Sequence, residues 1–156
     1  MKSELNQQLT EDVKGEMALA ADFRTALRTF LRRTEEAAVA SGLTPQRYDL
    51  LLQIHAGGVT PAESTVSELS DRLKLGQTAV TELVKRAEQA GLVTRRRNAI
   101  DGRVWRLHLT QEGQRRMSAT FEALSSDRRA LLESFARAGR RLHVVPREKR
   151  TARRNS

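Results

Sequence analysis

A short segment between Gly76 and Gly91 carries hydroxyl, amide and charged side chains on one side of a predicted helix. Its other side is apolar with the spacing of a single helical face, at Val80, Leu83, Val84 and Ala87. Small hydroxyl and amide groups suit the edges of DNA bases in a major groove. The polar positions of this helix are therefore candidate DNA contacts: Gln77, Thr78, Thr81, Glu82 and Lys85.

A second cluster, residues 95–103, gathers arginines around Asp101-Gly102, which is a turn signal. Guanidinium groups bind phosphates and enter narrow minor grooves, although a solvated loop explains such a run equally well when it is taken alone. We predict that Asp101 has a supporting role and holds Arg103 by a charge-assisted hydrogen bond. The candidate DNA-binding residues of this cluster are Arg95, Arg97, Asp101 and Arg103.

Two short helices and a hairpin are predicted to position these side chains. Thr65 and Glu68 have the spacing of a capping box, which begins the first helix. Gly76 separates it from the second helix, and Gly91 ends the second, since glycine is the usual residue after a helix. Two strands follow, one entered at residues 92–94 and one at residues 104–109. In the second strand Trp105 alternates with Leu107 and Leu109, so we predict that Trp105 packs in the base of the hairpin.

The flanking segments are predicted to be long helices. One runs from residue 10 to residue 41 after a polar start, and it is equally typical of a core helix and of a dimer-forming helix. Thr44-Pro45 begins the next, with Tyr48, Leu51, Leu52 and His55 on one face. Residues 57–62 are interpreted as a loop. Thr110 caps a helix over residues 111–139, with a kink or a new cap at residues 125–127, and residues 140–156 form a basic tail that is predicted to be disordered.

Composition narrows the classes of function. The chain of 156 residues has a net charge of +9, which favours an anionic partner such as nucleic acid. It has no cysteine, and its three histidines lack the spacing of metal ligands, so we expect no metal, no cofactor and no disulfide. No arrangement of residues suggests a catalytic site. The absence of a signal peptide and of a long apolar run predicts a cytoplasmic protein without a membrane segment.

Residues 20 to 135 resemble the MarR-type winged helix-turn-helix transcription regulators of bacteria. The similarity is carried by Leu92-Val93 after Gly91, by the pair Asp101-x-Arg103, by Leu109-Thr110-x-x-Gly113, and upstream by Gly42-Leu43-Thr44-Pro45 and Leu50-Leu51-Leu52. Two positions depart from the family. Gly76-Gln77 stands where Ser-Pro is often found, and Ala87 stands where a larger apolar residue is usual.

The resemblance implies a mainly α fold with a small β-wing, in which a DNA-binding lobe (residues 42–110) lies between dimerisation helices (residues 10–41 and 111–139). It also implies a homodimer on a near-palindromic site in double-stranded DNA. The expected activity is that of a repressor relieved by a small aromatic or anionic effector, in a pocket whose candidate residues are Phe23, Phe30, Tyr48, His55 and Phe121. The alternative is a nucleoid-type protein that binds DNA without sequence preference and without an effector.

Overall fold

The computed structural model describes residues 2–57, 63–98 and 101–141, and the side chains of residues 13–57, 63–98 and 101–139. It is mainly helical with one small antiparallel sheet, as predicted. The helices are α1 (Lys2–Ala40), α2 (Pro45–Ala56), α3 (Val66–Leu73), α4 (Gln77–Gln89), α5 (Gln111–Ala123) and α6 (Ser125–Arg141). The strands are β1 (Val93–Arg97) and β2 (Trp105–Leu109).

The chain divides into two compact units. We call the first, Met1–Leu31 with Ser126–Ser156, the helical unit, and the second, Arg32–Ser125, the winged unit. The prediction that the first helix begins at residue 10 is wrong, because α1 begins at Lys2. The predicted break at residues 125–127 is confirmed, since α5 and α6 are separate helices on either side of the buried Leu124. The interpretation of residues 57–62 as a loop and the prediction for the basic tail fall almost entirely outside the described residues.

The core of the winged unit draws on every one of its elements. Apolar side chains that are almost fully buried come from α2, α3, α4, the hairpin and α5: Leu50, Leu51, Ile54, Leu69, Val80, Val84, Ala87, Leu92, Leu107 and Met117. The face predicted for α2 was partly wrong, because Leu50 and Ile54 are buried whereas His55 is exposed. Helix α2 contacts α3, α4, α5 and β2, and these neighbours cover a face centred on Leu50, Leu51 and Ile54.

Three helices of the winged unit begin at threonine caps, as predicted. Thr44 accepts a hydrogen bond from the backbone N–H of Arg47 at 3.2 Å. At the start of α3, Thr65 accepts from the N–H of Glu68, and the Glu68 carboxylate accepts from the N–H of Thr65 at 2.7 Å, which completes the capping box. Thr110 accepts from the N–H of Gly113 at 3.0 Å. These caps satisfy backbone donors that a helix leaves without partners.

The motif Leu109-Thr110-x-x-Gly113 has a packing explanation. A Cβ atom built on Gly113 would lie 2.1 Å from the carbonyl oxygen of Leu92 and 3.0 Å from its carbonyl carbon. The same carbonyl accepts a hydrogen bond from the N–H of Thr110 at 3.0 Å, and the Thr110 hydroxyl donates to the carbonyl of Gly91 at 2.6 Å. Helix α5 is thus held directly against the start of β1, and only glycine permits this approach.

The hairpin becomes more exposed along β1 from its base toward its turn. Strand β1 pairs antiparallel with β2, with Val93 opposite Leu109, Arg95 opposite Leu107, and Arg97 opposite Trp105. Exposure rises along β1 from Val93, which is buried, to Arg97, which is exposed. A bridge between Ser64 and Leu107 adds a third short segment at the base of the hairpin. The hairpin is therefore anchored at one end and projects from the core at the other.

Candidate nucleic-acid interface

Helix α4 separates its apolar and polar residues as predicted. Val80, Val84 and Ala87 have no exposed surface, so Ala87 is part of the core despite its small size. All five candidate contacts on this helix are exposed: Gln77, Thr78, Thr81, Glu82 and Lys85. The hydroxyl of Thr81 donates to the carbonyl of Gln77 at 2.8 Å and keeps its lone pairs available as acceptors. The predicted helix is present, and its contacts with bases stay a prediction.

The start of α4 lacks a side-chain cap. Gly76 occupies the cap position with an extended backbone and makes no side-chain hydrogen bond, because glycine has no side chain to offer. A Cβ at this position would meet no atom within 4 Å. The departure from the family's Ser-Pro therefore leaves the first N–H groups of α4 without a capping partner from Gly76.

The arginines of the hairpin fall into two groups. Arg95 is paired with Glu88 of α4, with its Nε at 2.9 and 3.0 Å from the two carboxylate oxygens. The Nη1 atom of Arg106 lies 3.5 Å from Oε1 of Glu68, and its Nε atom lies 3.9 Å from Oε1 of Glu63. Three others are exposed and have no carboxylate partner among the described residues: Arg96, Arg97 and Arg103. The pairing of Arg95 connects the hairpin to α4, a role that the sequence did not indicate.

The role predicted for the Asp101 side chain was wrong in its detail. Its Oδ1 accepts a hydrogen bond from the backbone N–H of Arg103 at 3.0 Å rather than from the guanidinium. A short carboxylate readily reaches the N–H two residues ahead, as in an Asx turn. The side chain of Asn98 accepts from the N–H of Asp101 at 3.1 Å, and Val104 donates to the carbonyl of Asp101 at 3.0 Å. Asp101 therefore shapes the backbone of the wing and leaves the Arg103 guanidinium without this tether.

The position predicted for Trp105 was also wrong. Its side chain is 49% exposed, and the guanidinium carbon of Arg97 lies 5.1 Å from the centre of its ring. Trp105 does share a strand face with Leu107. However, only Leu107 lies over the core, because Trp105 is the first residue of β2, where the hairpin projects beyond the helices. Alternation identifies a face but does not show how far the core extends along it.

A charged cluster at the base of the hairpin was not predicted. Glu63 and Glu68 lie beside Arg106, and Nε2 of His108 is 3.4 Å from Glu63 Oε2. Burial alone would raise the pKa of Glu68. Hydrogen bonds from Thr65 and the charges of Arg106 and Arg72 outweigh burial and hold that pKa below its usual value. Arg106 and His108 alternate with Leu107, which is the sequence signal for a second, polar face of β2.

Arg72 connects the ends of the segment between α2 and α3. Its guanidinium donates to the carbonyl of Gln53 at 2.7 Å, to the carbonyl of Gly57 and to the hydroxyl of Ser64. Ser64 is fully buried and bridges to Leu107 in the hairpin. Arg72 therefore stabilises the junction on which both the helix-turn-helix and the wing are built. In the sequence it is one arginine among many, and no spacing distinguishes it.

The predicted effector residues lie in both units. In the helical unit, Phe23 packs against Phe135 with ring centres 4.9 Å apart, and Phe30 is half-buried. In the winged unit, Tyr48 is buried, whereas His55 and Phe121 are exposed. Their role in an effector pocket stays a prediction. Within the described residues, no group of three or more His, Cys, Asp or Glu side chains could hold a metal ion. No helix in that part of the chain is long and apolar enough to cross a membrane.

Comparison with known proteins agrees with this architecture. The model of the MarR family matches residues 41–104. The HTH-type transcriptional repressor MdtR of Bacillus subtilis (strain 168) is 28% identical over 121 residues, which are 75% of this chain and 73% of that protein.

Two solved structures are similar as well. A mutant MarR from E. coli complexed with operator DNA superposes with a TM-score of 0.59 at 20% identity, over 74% of this chain and 81% of that one. At this sequence identity the similarity supports the fold alone. Overoxidised AbfR bound to DNA gives a TM-score of 0.52 at 26% identity, over 91% of this chain and 99% of that one. The family model, the relative and the two structures agree with the winged helix-turn-helix described above, and residues 41–104 of the chain are similar to the MarR family.

Proposed function

We propose that this chain is a sequence-specific DNA-binding regulator that acts as a homodimer on a near-palindromic operator. The observation that carries the proposal is that the winged unit combines the exposed polar face of α4 with exposed wing arginines that lack carboxylate partners among the described residues. AbfR, which is 26% identical, was solved bound to DNA, and this supports the same partner here. MdtR is named a repressor, and we extend that mode of action to this chain.

Helix α4 is proposed to lie in the major groove. Thr78 and Thr81 are exposed on the side opposite Val80 and Val84, which are held in the core. If either threonine hydroxyl contacts a base, replacing it with alanine relaxes the preference at one operator position by about 1–3 kcal/mol. Thr29→Ala is the matched control, because Thr29 is exposed and its hydroxyl donates to the residue four positions earlier, as that of Thr81 does.

The experiment is a titration of both variants and the control against an operator selected from random DNA and its single-base substitutions. The proposal expects Thr78→Ala or Thr81→Ala to lose discrimination at particular positions, while Thr29→Ala behaves as the wild type. Equal weakening on every sequence would show that these hydroxyls do not read bases.

Dimerisation is proposed to use the helical unit. This unit exposes large apolar side chains on both of its helices: Val13, Met17, Phe23, Leu31, Leu132 and Phe135. Burying apolar surface stabilises an interface by about 25 cal/mol per Å². Contact between these side chains and a second copy of the chain is therefore favoured over their exposure to solvent. Light scattering should give twice the chain mass of 17.6 kDa. Leu132→Glu should yield monomers. Leu75→Glu, which changes an exposed leucine of the winged unit, is the control and should remain dimeric. A wild-type protein that is monomeric and still binds the operator tightly would contradict the proposal.

We also propose that a small aromatic or anionic effector relieves DNA binding. A ligand shifts an equilibrium only by its preference for one conformation, so it must favour a spacing of the two DNA-binding units that does not fit successive major grooves. The proposal rests on the similarity to the MarR family over residues 41–104 and on candidate aromatic and imidazole groups that are exposed, Phe23, His55 and Phe121. Benzoate, a simple aromatic anion, is a suitable first probe. Unchanged operator affinity across a panel of such anions would argue against an effector of this class.

The competing function is that of a nucleoid-type protein. The net charge of +9 favours it, since phosphate neutralisation alone gives binding to any sequence. The basic segment 140–156 contains seven lysines and arginines and one glutamate, and so contributes +6 of that charge. Removing it should weaken binding to operator and random DNA together, and should reduce the salt slope by about 0.9 for each phosphate that the shortened chain no longer neutralises. A regulator retains its discrimination after this truncation, whereas a nucleoid-type protein has none to retain.

A further inference from the structure

The tip-facing end of the hairpin carries an arginine whose guanidinium lies over an exposed indole. Arg97 and Trp105 are direct partners in the register of β1 and β2. The guanidinium carbon of Arg97 is 5.1 Å from the centre of the Trp105 ring, which is within the range of a cation–π contact. Half of the tryptophan surface remains exposed. The pair therefore presents an aromatic ring and a positive charge together at the surface.

The strand geometry shows which side of the hairpin this pair occupies. Side chains two residues apart on a strand lie on the same face, so Arg97 shares its face with Arg95. Arg95 is bonded to Glu88 of α4 at 2.9 Å. The face that carries Arg97 and Trp105 is therefore the face directed toward α4, which holds the candidate base contacts. Arg96 lies on the opposite face of the same strand and provides a natural comparison.

The charge of Arg97 is not neutralised locally. Of the arginines in the hairpin, Arg95 and Arg106 have carboxylate partners, whereas Arg97 has none among the described residues. An indole ring does not cancel the positive charge, but a cation–π contact favours side-chain arrangements that keep the guanidinium over the ring. Restriction before binding reduces the entropy lost when the guanidinium meets a phosphate.

We propose that Trp105 is a positioning residue that holds the Arg97 guanidinium ready for a phosphate of the DNA backbone, so that the wing makes a second contact beside that of Arg103. The inference rests on the proposed DNA-binding function. It assigns Trp105 to the interface through Arg97, and it gives two arginines adjacent in the chain different roles. Arg97 is preoriented by the indole, and Arg96 is an unrestrained surface charge.

A double-mutant cycle separates this role from a structural one. The variants are Trp105→Leu, Arg97→Ala and the two combined, and each is titrated with a duplex selected by the wild-type protein and with a random duplex. Leucine keeps an apolar side chain that suits a strand. Trp105→Leu should weaken binding by about 2- to 10-fold, the range of a surface cation–π contact that becomes partly desolvated. In the Arg97→Ala background the same change should have almost no effect.

Arg96→Ala supplies the matched control. Trp105→Leu should weaken binding equally in the wild-type and Arg96→Ala backgrounds, because the indole does not touch Arg96. Trp105→Phe keeps a ring for the guanidinium and should bind DNA almost as tightly as the wild type. Arg97→Ala should also reduce the slope of log affinity against log salt by about 0.9, the value for one neutralised phosphate. An equal effect of Trp105→Leu with and without Arg97 would overturn the proposal.

Fluorescence provides an independent readout, since Trp105 is the one tryptophan of the chain. Saturation with the selected duplex should change its emission, and the change should be smaller in Arg97→Ala. Unchanged wild-type emission at saturation would place Trp105 away from the DNA. This result would overturn the inference about Trp105 but not the proposed function. Failure of the wild-type protein to bind any duplex would remove the proposed function and this inference with it, so the two failures are distinguishable.

Discussion

Replacing Gly113 with alanine tests how α5 is attached to the DNA-binding lobe. The new Cβ would lie 2.1 Å from the Leu92 carbonyl oxygen, whereas ordinary van der Waals contact begins at 3.4 Å. The backbone must therefore open by about 1.3 Å, the difference between these two distances. The atom in the way belongs to the backbone of Leu92, so no side-chain rotation relieves the overlap.

The expected loss of stability combines three contributions. Overpacking of this kind destabilises by about 1–3 kcal/mol. Displacing the Leu92 carbonyl also weakens the hydrogen bond that it accepts from Thr110, which contributes about 1 kcal/mol. Alanine offsets about 1 kcal/mol through its higher helix propensity. The net destabilisation is about 1–3 kcal/mol, which corresponds to a melting temperature lower by roughly 2–12 °C for a chain of this size.

Thermal and urea unfolding of wild type and Gly113→Ala measure the effect. Gly15→Ala is the matched control, because Gly15 lies in α1 and a Cβ there would meet nothing within 4 Å. That control should be as stable as the wild type or more stable, by up to about 1 kcal/mol. If Gly113→Ala were as stable as Gly15→Ala, the direct packing of α5 on Leu92 would be the wrong explanation of the motif.

Three further changes test the start of α4, the wing and a surface ion pair. Gly76→Ser should add the missing cap to α4 and stabilise the protein by a few tenths of a kcal/mol without weakening DNA binding. Gly76→Asp should stabilise the protein similarly, but its negative charge should repel the DNA phosphates. Equal DNA affinity of the two variants would contradict a DNA contact near this helix end. Arg103→Ala should reduce operator binding strongly, and Arg103→Lys should restore it only in part, because the planar guanidinium is absent; full recovery in the lysine variant would argue against a specific role for that shape. Hydrogen bonds from Arg115 and, to a smaller extent, from Arg116 lower the pKa of Glu112 from 4.5 to about 2. The contribution of Glu112 to stability is therefore present above pH 4.5 and disappears as the pH falls toward about 2. The melting temperatures of wild type and Glu112→Gln should converge in that window, and a constant difference between them would contradict the assignment.

Local signals in the sequence were sufficient for the architecture. Thr44, Thr65 and Thr110 were identified as helix caps, and each makes the expected hydrogen bond. Such caps depend on residues within three positions of one another, so they can be recognised without knowledge of the tertiary structure. Gly91 likewise has a positive φ of 68° after α4, as expected for a residue that ends a helix.

Details that depend on distant parts of the chain were not predictable. Trp105 was assigned to the core because it alternates with Leu107, but the extent of the core is determined by the helices that pack on the hairpin. Arg95 is bonded to Glu88, and Arg72 to carbonyls of the α2 C-terminal region, over separations in sequence that no periodicity marks. For the interface itself, the sequence identified the exposed residues of α4 correctly but did not distinguish the paired wing arginines from the unpaired ones.

The central claim is sequence-specific recognition of DNA, and the ratio of operator affinity to random-duplex affinity at one salt concentration tests it most directly. The operator is the duplex selected by the wild-type protein from random DNA, and the control is a duplex of equal length and scrambled sequence. A specific regulator should bind the operator about 10³-fold more tightly or better. A ratio near one at physiological salt would contradict the account and leave a basic protein that binds DNA only through its charge.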